Sequence, residues 1–491
     1  MAASVPKVRS ALIVNCWHDS NKGDAAISIG VVNALKNNSV ADVVRVSSYI
    51  YYPEQADLDY GFRHVRAAHP DVEFVQTSLP AAALSVGKFE SLRLSIRAFC
   101  KLLAPDLVSD RGFERAVRDS CVVISNGGLY FGFAKSGFLF VLYHLFAFSY
   151  PLLLARRCGV PYVLYAQSFG PFRDRLSRWW VKRLVVGSAG TWARESFSRE
   201  ALLDLGVPPD KVSVVADAAF GLKLNEAVGL SILHRFGLQR RGYVAISVRG
   251  LDASGHSEEA ETQYRKAIAE LIGWLTNERG LKVGLIAHTT GPIADEDDRI
   301  TCKAILRSLP PELADKIVFI DADLSPEELA HLYGSAGFVI ATRFHAVVLA
   351  MCGGAPAIAI PYFGVKTQGA MRDLGLGDFL LEVRDLTLES LKDKCMDCLN
   401  QGDDLRAKIS SVALERYMFA MQTGRTLKET LNKCSFSTTS IDKGAPDEIS
   451  KPTEDTGDDD GIRAVYEEDA AGNLFGRDGA GGAVGKVVRL D

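Results

Sequence analysis

Short runs of β-branched and other apolar residues alternate with amphipathic stretches along most of this chain. In the first half the predicted strands are residues 10–15, 43–49, 72–76, 121–126, 161–167 and 212–216. In the second half they are residues 243–249, 282–287, 316–320, 337–341 and 356–360. Nearly continuous Val, Ile and Ala runs are typical of parallel strands buried on both faces, and the intervening helices supply right-handed crossovers. The pattern therefore predicts an α/β fold.

At 491 residues the chain is too long for one ordinary hydrophobic core. We expect two Rossmann-like, doubly wound domains that face each other across a cleft, residues 1–220 and 242–434, with residues 221–241 as the linker. The second domain is predicted to end in one long helix over residues 404–432. Residues 435–491 are rich in Gly, Asp and Glu, and we predict that this acidic tail is disordered, because it cannot bury enough apolar area to offset its ordering entropy.

Charge and cysteine content narrow the functional classes. The formal net charge of the whole chain is −4. Residues 441–491 contain 13 acidic and 6 basic residues and so carry −7, which leaves residues 1–440 weakly positive. Nucleic acid is therefore not expected as the main ligand. Nine cysteines, an odd number, do not indicate a disulfide framework and favour a reducing, cytoplasmic compartment. We interpret Cys395 and Cys398, a lone CxxC pattern, as buried filler rather than a zinc site.

Residues 138–155 form an apolar run that has the length of a membrane-spanning segment. The run contains His144, Ser149 and Pro151, and it falls between two strands of one predicted sheet. A buried helix is therefore the favoured interpretation, with an interfacial membrane contact as the alternative and a membrane span disfavoured.

The basic, aromatic stretch 173–183 is predicted to be an amphipathic helix. Its expected inward stripe consists of Leu176, Trp179, Trp180 and Leu184, and its expected outer face of Arg175, Arg178 and Lys182. The ordinary interpretation of that outer face is a solvated cationic surface. The functional hypothesis is that it docks peripherally on an anionic lipid surface, because basic residues close to such a bilayer are attracted to it.

In a doubly wound sheet, ligands bind at the loops that follow the strands. The first such loop contains Gly23 and Asp24 before a helix predicted to begin at Ala25, and its backbone N–H groups suit an anion; the alternative is a plain connection with Asp24 as helix cap. Arg194 is predicted to clamp a phosphate or carboxylate, because an ion pair with its sequence neighbour Glu195 has unfavourable geometry. Four more candidate ligand contacts follow strands of this half: Gly127, Gly128, Gln167 and Ser168.

In the second half, Arg343 and His345 lie where a predicted strand ends and a helix begins. Arginine offers a bidentate fork for phosphate or carboxylate, and histidine exchanges a proton near neutral pH. His288 ends another strand and points to the same cleft, and Lys366, after the last strand, is placed to reach an anion. Acidic residues 295–298 are interpreted as the first turn of a helix, with a metal-binding DxD motif as the alternative. The zincin, α/β-hydrolase and P-loop motifs are absent from the sequence.

Taken in order, these elements resemble the polysaccharide pyruvyl transferases over roughly residues 10–380. The residues that carry the resemblance are Gly23-Asp24-Ala25-Ala26-Ile27, Gly127-Gly128, Gln167-Ser168-x-Gly170-Pro171, Arg194-Glu195, Ala216-Asp217, Arg343-x-His345 and Gly354-x-Pro356. The resemblance implies a two-domain fold similar to the GT-B-type glycosyltransferases. It also implies that the enolpyruvyl group of phosphoenolpyruvate is transferred to sugar hydroxyls to form a cyclic pyruvate ketal, with Arg194, Arg343 and His345 holding the donor. The chain departs from the family in its 50–120 region and in its acidic tail.

This chemistry makes definite demands on the site. Phosphoenolpyruvate carries a phosphate and a carboxylate, which Arg194, Arg343 and Lys366 are expected to bind. Its methylene carbon must be protonated, for which His345 is the expected acid, with His288 or Asp217 as the base. No metal or organic cofactor is expected. The expected acceptor is a saccharide or a lipid-linked saccharide, used in the cytoplasm or at a membrane surface.

Two other functions stay open from the sequence alone. A nucleotide-sugar glycosyltransferase would share the architecture, since a fold does not determine a function. A non-catalytic, saccharide-binding relative would also share it, although such a protein has no need for the cationic residues.

Overall fold

The chain folds into two parallel-sheet domains followed by a long helix. The computed structural model describes residues 8–52, 54–79, 88–103, 112–131, 138–172, 174–251, 256–362 and 366–437. The predicted tail, residues 435–491, therefore lies outside the described residues except at its start.

The N-terminal sheet contains seven parallel strands. They are β1 (Ser10–Cys16), β2 (Val43–Ser48), β3 (Glu73–Phe74), β4 (Ser120–Ser125), β5 (Tyr162–Gln167), β6 (Gly190–Ala193) and β7 (Val212–Val214). Their spatial order, β3-β2-β1-β4-β5-β6-β7, reverses between β1 and β4. All six predicted strands of this half are confirmed. Strand β6 was not predicted, because four residues that begin with glycine give too weak a pattern.

The C-terminal sheet contains five parallel strands. They are β8 (Tyr243–Ser247), β9 (Lys282–Ile286), β10 (Ile317–Ile320), β11 (Val339–Ala341) and β12 (Ala357–Ala359). The order β10-β9-β8-β11-β12 reverses between β8 and β11. Both sheets are thus doubly wound, as predicted, and each has its ligand-binding crevice at the carboxyl ends of the strands where the order reverses.

Helices cover both faces of the two sheets. In the first domain they are α1 (Lys22–Asn37), α2 (Gln55–Gly61), α3 (Arg63–Ala68), α4 (Lys88–Leu103), α5 (Phe113–Arg118), α6 (Phe138–Arg157), α7 (Arg175–Val186) and α8 (Ser196–Leu203). The helices that follow the first domain are α9 (Glu226–Arg235), α10 (Glu258–Gly273), α11 (Asp298–Ser308), α12 (Pro326–Gly334), α13 (Phe344–Cys352), α14 (Lys366–Asp373) and α15 (Leu388–Ser437). Helix α9 occupies the middle of the predicted linker, residues 221–241.

Local sequence signals set the helix starts around the cleft. The Asn21 side chain accepts the backbone N–H of Gly23 at 3.2 Å and caps α1. The predicted start at Ala25 is therefore wrong by three residues, and the alternative interpretation of Asp24 as the cap is wrong as well. The capping box predicted from Ser325 and Glu328 is confirmed at α12.

The final helix connects the two domains. Gly402, with φ 47°, interrupts α15, a conformation that favours glycine. Beyond it the helix returns to the N-terminal domain, where the Asn38 side chain donates to the Met421 carbonyl and Lys428 donates to the Asn38 carbonyl, both at 2.9 Å. The predicted helix over 404–432 is confirmed. The sequence assigned it to the C-terminal domain, whereas the structure packs it against both.

The apolar run of residues 138–155 lies in helix α6, and its middle is buried. Leu145, Phe148 and Tyr150 are at most 2% exposed. In the described part of the chain, no helix combines the length and apolar character that a membrane crossing requires. The preference for a buried helix is confirmed.

Helix α7 has the predicted outer face, since Arg175, Arg178 and Lys182 are exposed, but its inward stripe differs at one residue. Asp174 caps the helix through the backbone N–H of Ser177, and the residues that face the core are Val181, Leu184 and Val185. Trp179, predicted to point inward, is 54% exposed. The predicted inward stripe is therefore wrong at this residue, because at 3.6 residues per turn Trp179 lies opposite the positions that face the core.

The buried position predicted for Cys395 and Cys398 is confirmed. All nine cysteines, each of which lies in a described segment, are free thiols. Cys395 and Cys398 are buried in α15, and within the described segments no group of three His, Cys, Asp or Glu side chains is placed to hold a metal ion.

Candidate functional site

The two domains meet at the carboxyl ends of their strands. The backbone N–H of Thr290, after β9, donates to the carbonyl of Ser20, after β1, at 3.0 Å. The indole N–H of Trp17 donates to the Glu296 carboxylate at 3.0 Å. The loops that the sequence proposed as ligand sites therefore face one another across an interdomain cleft.

A row of polar side chains crosses this cleft through His345. This residue lies in the first turn of α13, and its Nε2 is 3.5 Å from Oδ2 of Asp217 in the other domain. The same Asp217 oxygen accepts a hydrogen bond from Nη1 of Arg194 at 2.9 Å. A Cβ atom on Gly23 would lie 2.4 Å from the His345 ring, so only glycine permits this approach of α1 and α13. The structure thus brings together four predicted residues that follow four different strands.

The electrostatics of Asp217 favour a positioning role. Burial alone would raise its pKa, but the Arg194 guanidinium and His345 hold the pKa well below its usual range. A carboxylate of such low pKa is a weak proton acceptor, and this one is already paired with Arg194. The geometry of Asp217 therefore suits it to orient His345.

Arg194 is more extensively paired than the sequence indicated. Its Nε donates to Ser168 Oγ at 2.6 Å and lies 3.4 Å from the Glu195 carboxylate. The ion pair with Glu195, which the sequence disfavoured, is therefore present, because strand β6 ends there and the two side chains turn toward one another. Nη2 of Arg194 has no partner among the described residues, so one edge of its fork remains for a ligand.

Arg343 is likewise held by its own domain. Its Nη2 donates to Asp298 at 2.7 Å and to the Glu296 carbonyl at 2.9 Å, and Nε also donates to Asp298. Asp298 is 1% exposed, so this is a buried ion pair. The prediction that residues 295–298 form the first turn of a helix is confirmed only in part, because Asp298 begins α11 and Asp297 caps it, whereas residues 295 and 296 lie in a preceding 3-10 turn. One of the carboxylates of this run also fixes Arg343, and Nη1 of that arginine has no partner within the described segments.

His288 is buried close to these groups. Its Nδ1 lies 3.3 Å from the Tyr333 hydroxyl, and its Nε2 has no hydrogen-bond partner in the described part of the chain. Burial, together with the positive charges of Arg343 and His345, holds the pKa of His288 well below its ordinary value. The imidazole is therefore neutral at pH 7 and has one free nitrogen.

Several other predicted ligand contacts have packing roles. A Cβ on Gly127 would lie 2.9 Å from the carbonyl of Ala166, and one on Gly128 would meet the Tyr130 ring at 2.3 Å. The amide of Gln167 donates to Ser125 at 2.7 Å, which ties β5 to β4. These contacts account for the two glycines without a ligand, whereas Oε1 of Gln167 is buried and has no hydrogen-bond partner among the described residues.

The last two predicted contacts lie at helix starts. Asp24, in the first turn of α1, helps to hold the pKa of Arg194 above its ordinary value. Lys366 begins α14, and its side chain lies outside the described residues.

Arg249 was missed from the sequence. It follows β8, beside the reversal of strand order in the C-terminal sheet, and is 7% exposed. Its guanidinium carbon lies 4.2 Å from the centre of the Tyr362 ring, and its Nε donates to the Gly250 carbonyl at 3.1 Å. Within the described residues no carboxylate lies within salt-bridge distance of it. A buried guanidinium without an acidic partner is a good ligand for an anion. Its position at a strand end was the available signal.

A second cationic cluster was also missed. Lys22 and Arg63 of the first domain both donate to the Asp323 carboxylate of the second, at 2.6 Å and 2.5 Å, and His64 Nε2 lies 3.2 Å from it. Lys22 is 1% exposed although it is charged in this pair. Asp323 thus joins the two domains at the edge of the cleft.

Replacing Asp323 by asparagine should destabilise the protein, because the buried Lys22 would lose its counter-charge. Since Asp323 itself is partly exposed, we expect a loss of about 2 kcal/mol, below the range for fully buried pairs. The control is Asp71→Asn, which breaks the exposed pair with Lys36 at 2.6 Å and should cost under about 0.5 kcal/mol. Denaturant unfolding of both variants is the measurement. Equal losses of unfolding free energy in the two variants would show that the ion pairs of Asp323 contribute no more to stability than an exposed surface pair.

Comparison with known proteins identifies relatives of this architecture. A model of the polysaccharide pyruvyl transferase family matches residues 21–362. The chain is 25% identical over 439 residues to the amylovoran biosynthesis protein AmsJ of Erwinia amylovora, covering 85% of this chain and 99% of AmsJ.

Two solved structures show the same fold. One is HepE from Anabaena in complex with UDP and glucose, at 14% identity and a TM-score of 0.52, covering 87% of this chain and 100% of HepE. The other is UDP-N-acetylglucosamine 2-epimerase from Rickettsia bellii, at 14% identity and a TM-score of 0.56, covering 89% of this chain and 99% of the epimerase. At such identities these likenesses concern the fold alone, and they confirm the predicted two-domain GT-B-type arrangement. The family match spans more than half of the sequence and includes Gly23, Asp217, Arg343 and His345, and the chain therefore belongs to the polysaccharide pyruvyl transferase family.

Proposed function

We propose that the protein transfers the enolpyruvyl group of phosphoenolpyruvate to two hydroxyls of a saccharide and forms a cyclic pyruvate ketal. The observation that carries the proposal is the interdomain group of His345, Asp217 and Arg194, with a proton-transfer residue placed among guanidinium groups. Membership of the family supports pyruvyl transfer in polysaccharide biosynthesis.

The reaction balances without an additional reactant. A proton is added to the methylene carbon of the donor, one sugar hydroxyl attacks the central carbon, and the bond from that carbon to the phosphate oxygen breaks. A second hydroxyl then closes the ketal. Of the two hydroxyl protons released, one balances the proton taken up by the new methyl group, and the other leaves with phosphate.

The donor would be held by guanidinium groups. We assign its two anionic groups to Arg249 and to the unpaired edges of Arg194 and Arg343, with Lys366 as a further cation. Charge-assisted, planar contacts of this kind are the strongest available for phosphate and carboxylate. Since Arg194 and Arg343 are already fixed by carboxylates, they would be preorganised before the donor arrives.

The proton transfers would use two histidines. We assign His345 as the general acid, since Asp217 lies 3.5 Å from its Nε2 and can hold the ring in place across the cleft. We assign His288 as the base, because Asp217 is already paired with Arg194, whereas Nε2 of His288 has no hydrogen-bond partner among the described residues. We assign Asp217 to positioning. A positioned acid or base typically contributes about 10²–10⁴-fold in rate.

The acceptor is a saccharide or lipid-linked saccharide, and the reaction takes place in the cytoplasm. It needs no metal or organic cofactor, because acid, base and cations suffice for each step. Phosphate release should therefore continue unchanged when EDTA is present. Loss of activity in EDTA that a divalent cation restores would contradict this part of the proposal.

The direct test is incubation of the full chain with phosphoenolpyruvate and a panel of soluble and lipid-linked saccharides, with phosphate release and product mass as readouts. Acceptor-dependent phosphate release and a product of the ketal's mass are expected. Parallel reactions with UDP-sugars test the glycosyltransferase alternative through release of UDP. Saccharide binding without turnover of either donor would favour a non-catalytic relative.

A further inference from the structure

Helix α4 displays an unusual apolar face. Leu92, Ile96, Phe99 and Leu103 are 59%, 57%, 54% and 62% exposed, and their spacing of four, three and four residues puts them in one stripe along the helix. Ala98, on a different side of the helix, is 2% exposed. The helix therefore turns a small residue toward the protein and large apolar side chains toward the solvent, the reverse of an ordinary surface helix.

Basic residues accompany this stripe. The sequence of α4 contains four basic residues and one acidic residue, and Arg93 and Arg97 are exposed beside the apolar positions. Arginine can extend its charged head toward lipid phosphates while its aliphatic stem covers apolar surface. A helix with one apolar and one basic face is typical of segments that lie in the interface of an anionic membrane.

A further exposed apolar side chain, on helix α7, belongs to the same layer of helices. Helices α4 and α7 both contact α6: Arg157 donates to the Leu103 carbonyl at 3.3 Å, and Trp180 donates to Ser149 at 2.9 Å. Trp179 of α7 is exposed, and the Arg183 guanidinium lies 5.2 Å from the centre of its ring. Tryptophan is favoured at the boundary between headgroups and acyl chains.

We infer that α4 is a membrane-docking helix, whose apolar stripe enters the headgroup layer of an anionic bilayer with Trp179 nearby. The functional reason rests on the proposed function, since docking would bring the cleft to a lipid-linked acceptor, but lipid binding itself does not depend on it. A second copy of the chain is the competing occupant. It is disfavoured because α4 carries four basic residues and one acidic residue, so a symmetric contact between the same helix of two copies would bring like charges together.

The test is co-sedimentation of the full chain with vesicles of phosphatidylcholine alone or with one quarter phosphatidylglycerol. We expect binding to the anionic vesicles and at least a tenfold loss for the double variant Leu92→Gln, Ile96→Gln. The matched control is Leu414→Gln, Met418→Gln on α15, which has the same spacing and similar exposure, 63% and 61%, and should bind like the wild type. Arg93→Gln, Arg97→Gln should weaken binding and reduce its dependence on salt.

Three results would overturn the inference: wild type that stays in the supernatant with both vesicles, an α4 double variant that binds undiminished, or light scattering that shows a dimer which this variant dissociates. Phosphate release with a soluble acceptor should be unchanged in the α4 variant. That measurement separates failure of membrane docking from failure of the proposed reaction.

Discussion

Replacing His345 by alanine should lower turnover by about 10²–10⁴-fold, the contribution of a positioned general acid, and should weaken donor binding much less. The reason is that the imidazole would act on the methylene carbon in the transition state, whereas guanidinium groups hold the anionic donor. Steady-state phosphate release at varied phosphoenolpyruvate concentration separates turnover from KM. The control is His234→Ala, on the exposed side of α9, which should be unaffected.

Asp217→Asn provides the companion measurement. Removing the carboxylate 3.5 Å from His345 Nε2 should leave the imidazole without its orienting contact, so turnover should fall by more than about tenfold while KM changes less. A His345→Ala variant that raises KM and leaves turnover intact would show that His345 is a binding residue. Unchanged turnover in Asp217→Asn would remove the positioning role.

Arg249 and Arg343 should respond differently to replacement by glutamine. Arg249 has no acidic partner among the described residues, so Arg249→Gln should leave the fold stable and raise the KM for phosphoenolpyruvate about 10- to 100-fold, the loss of one charge-assisted contact. Arg343→Gln would leave the buried Asp298 without its partner, and we expect a loss of about 3 kcal/mol in stability in addition to a weaker donor site.

The two variants need kinetics and denaturant unfolding side by side. Arg249→Lys and Arg343→Lys keep the charge but lose the planar fork, and both should recover only part of the function. A wild-type KM in Arg249→Gln would exclude this residue from the donor site. Unchanged stability in Arg343→Gln would show that the pair with Asp298 contributes nothing to the fold.

The sequence predicted those parts of the site that depend on one rule. Residues at the carboxyl ends of parallel strands meet at one edge of a sheet, and this rule led to His288, Arg343 and His345. The same rule applied to Arg249, but no adjacent histidine drew attention to it.

The pairing of charges could not be predicted. Lys22 and Asp323 are 301 positions apart in the chain, and their contact exists only because two domains meet. The distance between Gly23 and the His345 ring depends on the same meeting. Arg194 and Arg343 were expected to be free for a ligand, yet each is held by a nearby carboxylate. The sequence indicates which cationic side chains lie near the cleft. It does not show how many N–H groups of each guanidinium are already paired with a carboxylate.

The central claim is that the donor is protonated on carbon and loses phosphate by cleavage of its carbon–oxygen bond. It is tested most directly with phosphoenolpyruvate carrying a labelled bridging oxygen, in deuterium oxide, with a saccharide acceptor found in the panel. The account predicts that the label leaves with phosphate and that the methyl group of the ketal gains one deuterium. Label retained on the pyruvyl carbon, or a ketal methyl group without deuterium, would contradict it.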